Sequence, residues 1–212
     1  MSDVLEVSDE ALAHLTRADD VMAALIEEHG PLDLEARRRG RPADAYGALL
    51  RSIVGQQLSV KAARSIYERL TDMFGGTTPA PKELLAADPE TVRSAGLSRP
   101  KVSYIRSLAQ HVEDGELHLG SLDDMTDDEV IAELTAVKGL GEWTAHMFLM
   151  FHLRRPDVLA VGDLGVRRAV ERQYGLEGLP DAETLERLAE RWRPYRTLAC
   201  MYLWHSLDNA PT

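Results

Sequence analysis

"LTAVKGLGEWTAHMFLMF", Leu134 to Phe151, carries apolar residues at helical spacing on both sides of a break that holds two glycines, Gly139 and Gly141. A chain that interrupts a good helical pattern and resumes it at once is turning back on itself. Only "KGLG" separates the two helical stretches, and a link that short folds them into an αα-hairpin. Glycine lets the backbone of such a turn take positive φ. The turn leaves the N–H groups at the start of the second helix without intrahelical acceptors. Such a helix start is a ready anion site, and a phosphate suits it. Lys138 adds positive charge beside it. An ordinary glycine-turned hairpin with no ligand has the same four residues.

Working outward, the rest of the chain also reads as helix, giving an all-α protein. Ser8 opens and Gly30 closes the first helical stretch. "DAYGALLRSIVGQQ" and "SVKAARSIYERLTDMFGG" are amphipathic and flank "QQLS". Asp88 caps a short helix that Gly96 ends, and "RPKVSYIRSLAQHVEDG" follows. Thr126 and Glu129 form a capping box before the hairpin. "GDLGVRRAVERQYG" starts at Asp163, and Pro194 splits the last stretch into two helices. "DVLAV" (157–161) is the single β-like piece and reads as a connector. No repeat or low-complexity segment is evident.

The 212 residues suffice for one large or two small domains. With 44% hydrophobic and 28% charged residues the composition is that of a globular protein. No apolar run is long enough for a bilayer, and the acidic N-terminus does not read as a signal peptide. Cys200 is the only cysteine, which excludes an internal disulfide and any cysteine-built zinc or iron–sulfur site. Cytoplasmic residence, associated with the nucleoid, is the expectation, as a monomer with no membrane partner. The net charge of −11 argues against a polyanion partner, but its distribution is uneven. Glu113 to Glu129 holds no Lys or Arg, whereas Ala36–Arg41, Arg51, Lys61, Arg64, Arg69, Arg154, Arg155, Arg167, Arg168 and Arg172 concentrate positive charge. A solvated surface of mixed charge fits that pattern too.

After the hairpin comes "VLAVGDLGVRRAV". Here the sequence resembles the helix-hairpin-helix DNA glycosylases, and within them the alkylbase (3-methyladenine-type) glycosylases. The likeness is carried by "RSIVGQQLSVKAARSI", by "VKGLGEWTAHMFLMF" with "VGDLGVRRAV", and by "ERWRPYRTLACMYLWHSL", in the family's order. It departs from the pattern at Lys138, where many members have proline. The extra β domain of some members is not expected, nor the four-cysteine cluster of others.

The resemblance implies two helical lobes with a cleft between them. One lobe is expected from residues 1–46 and 165–212, the other from 47–164 with the helix-hairpin-helix motif at about 130–152. It implies a monofunctional glycosylase that hydrolyses the N-glycosidic bond of alkylated bases such as 3-methyladenine in damaged duplex DNA, in base excision repair. Other readings are a glycosylase for a mismatched or oxidised base, and a non-enzymatic DNA-binding hairpin protein. The catalytic carboxylate falls on Asp163, consistent with the oxocarbenium-like transition state of glycosidic cleavage. Asp163 also suits the N-cap of the helix after it, and both roles can coexist. Trp143 stands where bifunctional members carry a Schiff-base lysine. Trp143, Met147 and Trp204 map to the base pocket. Gln57 and Leu58 map to the loop that enters the duplex, although such residues commonly serve as surface and core. Lys138, Gly139, Leu140 and Gly141 map to the phosphate-gripping turn. No cofactor is needed for catalysis. The family's structural Na+ or K+ would lie on the backbone carbonyls of Thr135, Val137 and Leu140.

Overall fold

Polar side chains at helix starts write much of this fold. Ser8, Asp44, Ser59, Asp88, Ser98, Thr126, Asp163 and Asp181 each sit in extended backbone and accept a hydrogen bond from an N–H of the following first turn. The computed structural model describes residue 5 and residues 7–34 and 40–208, all helix and connection with no strand among them. Ala36–Arg39 of the basic run and both chain ends lie outside the described residues.

The helices are α1 (Asp9–Ala18), α2 (Asp20–His29), α3 (Ala45–Gly55), α4 (Val60–Asp72), α5 (Pro81–Ala86), α6 (Pro89–Arg93), α7 (Arg99–Glu113), α8 (Asp127–Thr135), α9 (Glu142–Phe151), α10 (Leu164–Gln173), α11 (Ala182–Ala189) and α12 (Arg196–Asp208), with short 3-10 turns at Leu119–Asp124 and Glu190–Trp192. The expected single helix from Ser8 to Gly30 is two. Asp19 breaks it at φ −156°, ending α1 and capping α2 by accepting from Val21 and Met22 N–H. Its buried carboxylate also accepts from Tyr174 Oη at 2.7 Å and Trp192 Nε1 at 2.9 Å. Those partners satisfy a charge that would be costly to bury alone.

Packing divides the chain into two units. Gly40–Phe148 forms one, and Met1–Arg39 with Leu149–Thr212 the other, in place of the bounds at 46 and 164 read from the sequence. The reason is local: residues 149–163 are bound to α12. Arg196 grips Asp157 with Nε at 2.7 Å and Nη2 at 3.1 Å, and Thr197 Oγ1 accepts from Val158 N–H at 2.9 Å.

In the 40–148 unit, α7 packs on α3, α5 and α6, burying Ile53, Leu84, Ile105 and Leu108 completely. In the other unit, α12 packs on α2 and α10, around fully buried Met22, Val170, Trp192 and Tyr202. No helix among the described residues is long and apolar enough to cross a membrane.

Candidate active site

The hairpin forms as its residues require. α8 starts with the capping box, Glu129 Oε2 accepting from Thr126 N–H at 2.8 Å. Val137 and Leu140 bury their side chains, and Leu140 N–H closes the turn on the Val137 carbonyl at 3.0 Å. Lys138 is exposed. α9 begins its ladder with Ala145 N–H to Gly141 O at 3.0 Å, so helix geometry gives the N–H groups of its first turn no intrahelical acceptor.

The two glycines serve different ends. Gly139 has φ +95°, and a Cβ there would fall 2.5 Å from Tyr104 Cβ and overlap the ring. Its missing side chain makes room for Tyr104 of α7. Gly141 has no positive φ, and a Cβ there would meet nothing within 4 Å. It is the glycine that leaves the turn open to close approach.

Across from the turn, Gln56 ends α3, and its Nε2 donates to the Gly139 carbonyl at 2.8 Å. The following Gln57 adopts φ +58°, in the left-handed region that non-glycine residues seldom enter. Gln57 and Leu58 are both exposed, Leu58 at 39%, so Leu58 is not a core residue. On α9, Trp143 and Met147 are four residues apart and share a face. Trp143 is 41% exposed and Met147 half-buried, while the neighbouring Thr144, Ala145 and His146 are buried.

In the other unit, Asp163 caps α10. Its Oδ1 accepts from Val166 N–H at 2.8 Å and from the Trp204 indole Nε1 at 2.8 Å. Trp204, from α12, stacks on Phe151 with ring centroids 5.9 Å apart and planes at 25°. The indole reaches the carboxylate because residue 165 is glycine: a Cβ there would lie 3.0 Å from both Asp163 Oδ1 and Trp204 Cδ1. Gly165→Ala should therefore shift the indole by a few tenths of an ångström and weaken its bond to the carboxylate. Gly165 lies in the first turn of α10 with no positive φ, where alanine favours the helix by about 1 kcal/mol over glycine, so the melting temperature should fall by no more than a few degrees. A hydrogen bond to a charged group contributes about 1.5–3 kcal/mol, so an activity dependent on Asp163 should fall roughly ten-fold. Kinetics and melting measured side by side check this.

The chain thus holds a half-buried carboxylate fixed at a helix start and, elsewhere, a tight glycine hairpin. Residues 50–194 match the family described as HhH-GPD superfamily base excision DNA repair protein. This chain belongs to the HhH-GPD superfamily.

Among curated relatives, DNA-3-methyladenine glycosylase 1 of Schizosaccharomyces pombe is 30% identical, covering 94% of this chain and 91% of that protein. The putative DNA-3-methyladenine glycosylase YfjP of Bacillus subtilis is 28% identical, covering 88% of this chain and 66% of that protein. Among solved structures, the S. pombe 3-methyladenine DNA glycosylase Mag1 in complex with abasic DNA superposes with TM-score 0.85 at 30% identity, covering 95% of this chain and 98% of that one. A DNA-3-methyladenine glycosidase from Bacillus halodurans gives 0.81 at 37% identity, covering 97% and 92%.

Within this HhH-GPD chain the sequence motifs missed Gln56, Tyr104, Lys101 and Gly165. Gln56 lies beside Gln57 in "GQQLS", and nothing in that string says which amide turns inward. Lys101 and Tyr104 join partners more than 30 residues away, which no local pattern encodes.

Proposed function

We propose that this protein is a monofunctional DNA glycosylase that removes alkylated bases, 3-methyladenine among them, from duplex DNA. The observation that carries the reading is the Asp163 carboxylate, held on one oxygen by the α10 N-terminus and the Trp204 indole, in an HhH-GPD protein whose relatives bear 3-methyladenine glycosylase names.

An alkylated purine carries positive charge and leaves readily. As the C1′–N bond breaks, its electron pair neutralises the departing base and the sugar becomes oxocarbenium-like. Asp163 stabilises that cation electrostatically. Water adds to C1′, and its proton passes to Asp163 or to solvent. Trp143 and Met147 on α9, and Trp204 on α12, offer aromatic and thioether faces to the extruded cationic base, each cation–π contact contributing about 0.5–2 kcal/mol. Gln57 and Leu58 fill the space the extruded nucleotide leaves. Lys138, Gly139, Leu140 and Gly141 hold a phosphate.

The carbonyls of Thr135, Val137 and Leu140 are hard neutral donors that suit Na+ or K+. Val137 O already accepts Leu140 N–H, and a carbonyl has a second lone pair to offer. Such an ion would supply positive charge beside the phosphate and no step of the chemistry.

Where a Schiff-base lysine would stand, this chain has Trp143, so cleavage should be hydrolytic. Duplexes bearing one lesion each should remain intact after incubation and break only on heating in alkali, with alkylated purines the preferred substrates. Borohydride should trap no protein–DNA adduct. Efficient trapping at any lysine would overturn the hydrolytic reading.

A further inference from the structure

The loop Gln56–Ser59, exposed from Gln57 onward, is fastened from outside its own stretch of sequence. Lys101, in the first turn of α7, donates through Nζ to the carbonyls of Val54 and Gln56, each at 2.7 Å. Gln56 Nε2 donates in turn to the Gly139 carbonyl of the hairpin at 2.8 Å and lies 3.4 Å from Thr144 Oγ1 at the start of α9. Three residues beyond Lys101 on the same helix, the Tyr104 ring occupies the space beside Gly139. One helix thus holds the loop with one side chain and the hairpin with another, and Gln56 joins the two.

This is more fastening than a helix end requires. C-terminal carbonyls are ordinarily satisfied by the backbone of a glycine turn or by water. Here they receive an ammonium half withdrawn from solvent, and burial holds its pKa below the usual lysine value. The residue after the clamp, Gln57, stands at φ +58°, a left-handed conformation that is strained for a non-glycine residue. A strained backbone persists only when its surroundings over-determine it, and such residues gather at functional sites. The tie between loop and hairpin also fixes a distance. A phosphate gripped at the turn and a side chain entering the base stack must keep the spacing that the duplex dictates.

We propose that Lys101 and Gln56 are positioning residues for base extrusion, holding Gln57 and Leu58 in the duplex-entering conformation and in register with the phosphate-gripping hairpin. This rests on the duplex-entering role of Gln57 and Leu58 given above. Lys101 acts through two backbone oxygens and is not a phosphate ligand, although it is a base in a DNA-binding protein.

The test uses the full-length protein and two duplexes, with the alkylated base either paired or in a single-nucleotide bulge where it is already unstacked. Lys101→Met keeps most of the aliphatic stem and removes both hydrogen bonds. Gln56→Ala breaks the tie to Gly139 with no change of charge, and serves if the Met variant folds poorly. Both should lose at least ten-fold in single-turnover excision from the paired duplex and several-fold less from the bulge. Extrusion is already partly complete in the bulge. Lys101→Arg, which keeps donors, should recover part of the loss. The slope of log binding constant against log salt should be unchanged in Lys101→Met, because no phosphate contact is removed. Loss of such a contact would lower its magnitude by about 0.9. Equal losses on both substrates, a lowered slope, or no loss in either variant would overturn the proposal. Gln57→Ala and Leu58→Ala run in parallel. If they reduce paired-duplex excision while Lys101→Met and Gln56→Ala do not, only the positioning proposal falls. If they too have no effect, the reading of the loop falls with it.

Discussion

Asp163→Asn should fold, bind duplex DNA and release alkylated bases at least a hundred-fold more slowly than the wild type. The substitution keeps the oxygen that both the helix start and the indole use. Both the α10 N-terminus and the Trp204 indole bond to Oδ1, and an asparagine amide oxygen can accept both. Asn caps helices about as well as Asp. What is lost is charge at a helix N-terminus, about 0.3–1 kcal/mol of stability, against an electrostatic transition-state contribution of roughly 2.7–4 kcal/mol, or a factor of 10²–10³ in rate. Binding should persist or tighten, because one repulsion with the phosphates is gone. Thermal melting, a binding titration and single-turnover excision separate the three effects. An Asn variant excising at near wild-type rate would reduce Asp163 to a helix cap.

Gly139→Ala should cost the fold far more stability than Gly141→Ala. Two costs add. A non-glycine residue at φ +95° is strained by about 1–2 kcal/mol. The new Cβ must also displace the Tyr104 ring, and overpacking of this kind costs about 1–3 kcal/mol. The sum, about 2–5 kcal/mol, is a large share of the ~5–15 kcal/mol that holds a domain folded. At about 2–4 °C per kcal/mol for a chain of this size, the melting temperature should fall by about 4–20 °C. Gly141→Ala is the control. Its Cβ meets open space at ordinary φ, so the fold should be untouched, and DNA binding should weaken on every sequence alike. If instead Gly139→Ala melts like the wild type while Gly141→Ala binds like it, the division of labour between the glycines is wrong.

That division marks where sequence reading stops. The hairpin, the all-helical class and the caps at Ser8, Asp88, Thr126 and Asp163 are local signals, set by periodicity and by side chains that satisfy N–H groups within one turn. The purpose of Gly139 is not local: glycine reports that a side chain is forbidden, not that Tyr104, 35 residues earlier, forbids it. Gly165 is the same case, since the Trp204 ring that needs its bare Cα arrives from the last helix. Asp19 shows the converse. The string "RADD" continues a good helical pattern, yet the chain breaks there, and Tyr174 and Trp192 come from far along the chain to share the Asp19 carboxylate. The exposure of Leu58 and the left-handed Gln57 are equally illegible, because a leucine near a helix end ordinarily packs inward.

The central claim is hydrolytic release of an alkylated base, and the freed base itself tests it most directly. Wild-type protein in excess over methylated duplex DNA should liberate free 3-methyladenine, separable by chromatography, in a time-dependent single-turnover reaction. The strand should stay intact until heated in alkali. Tight binding to the same duplex with no free base released, at any protein concentration or time, would contradict the account and leave a DNA-binding protein without the chemistry.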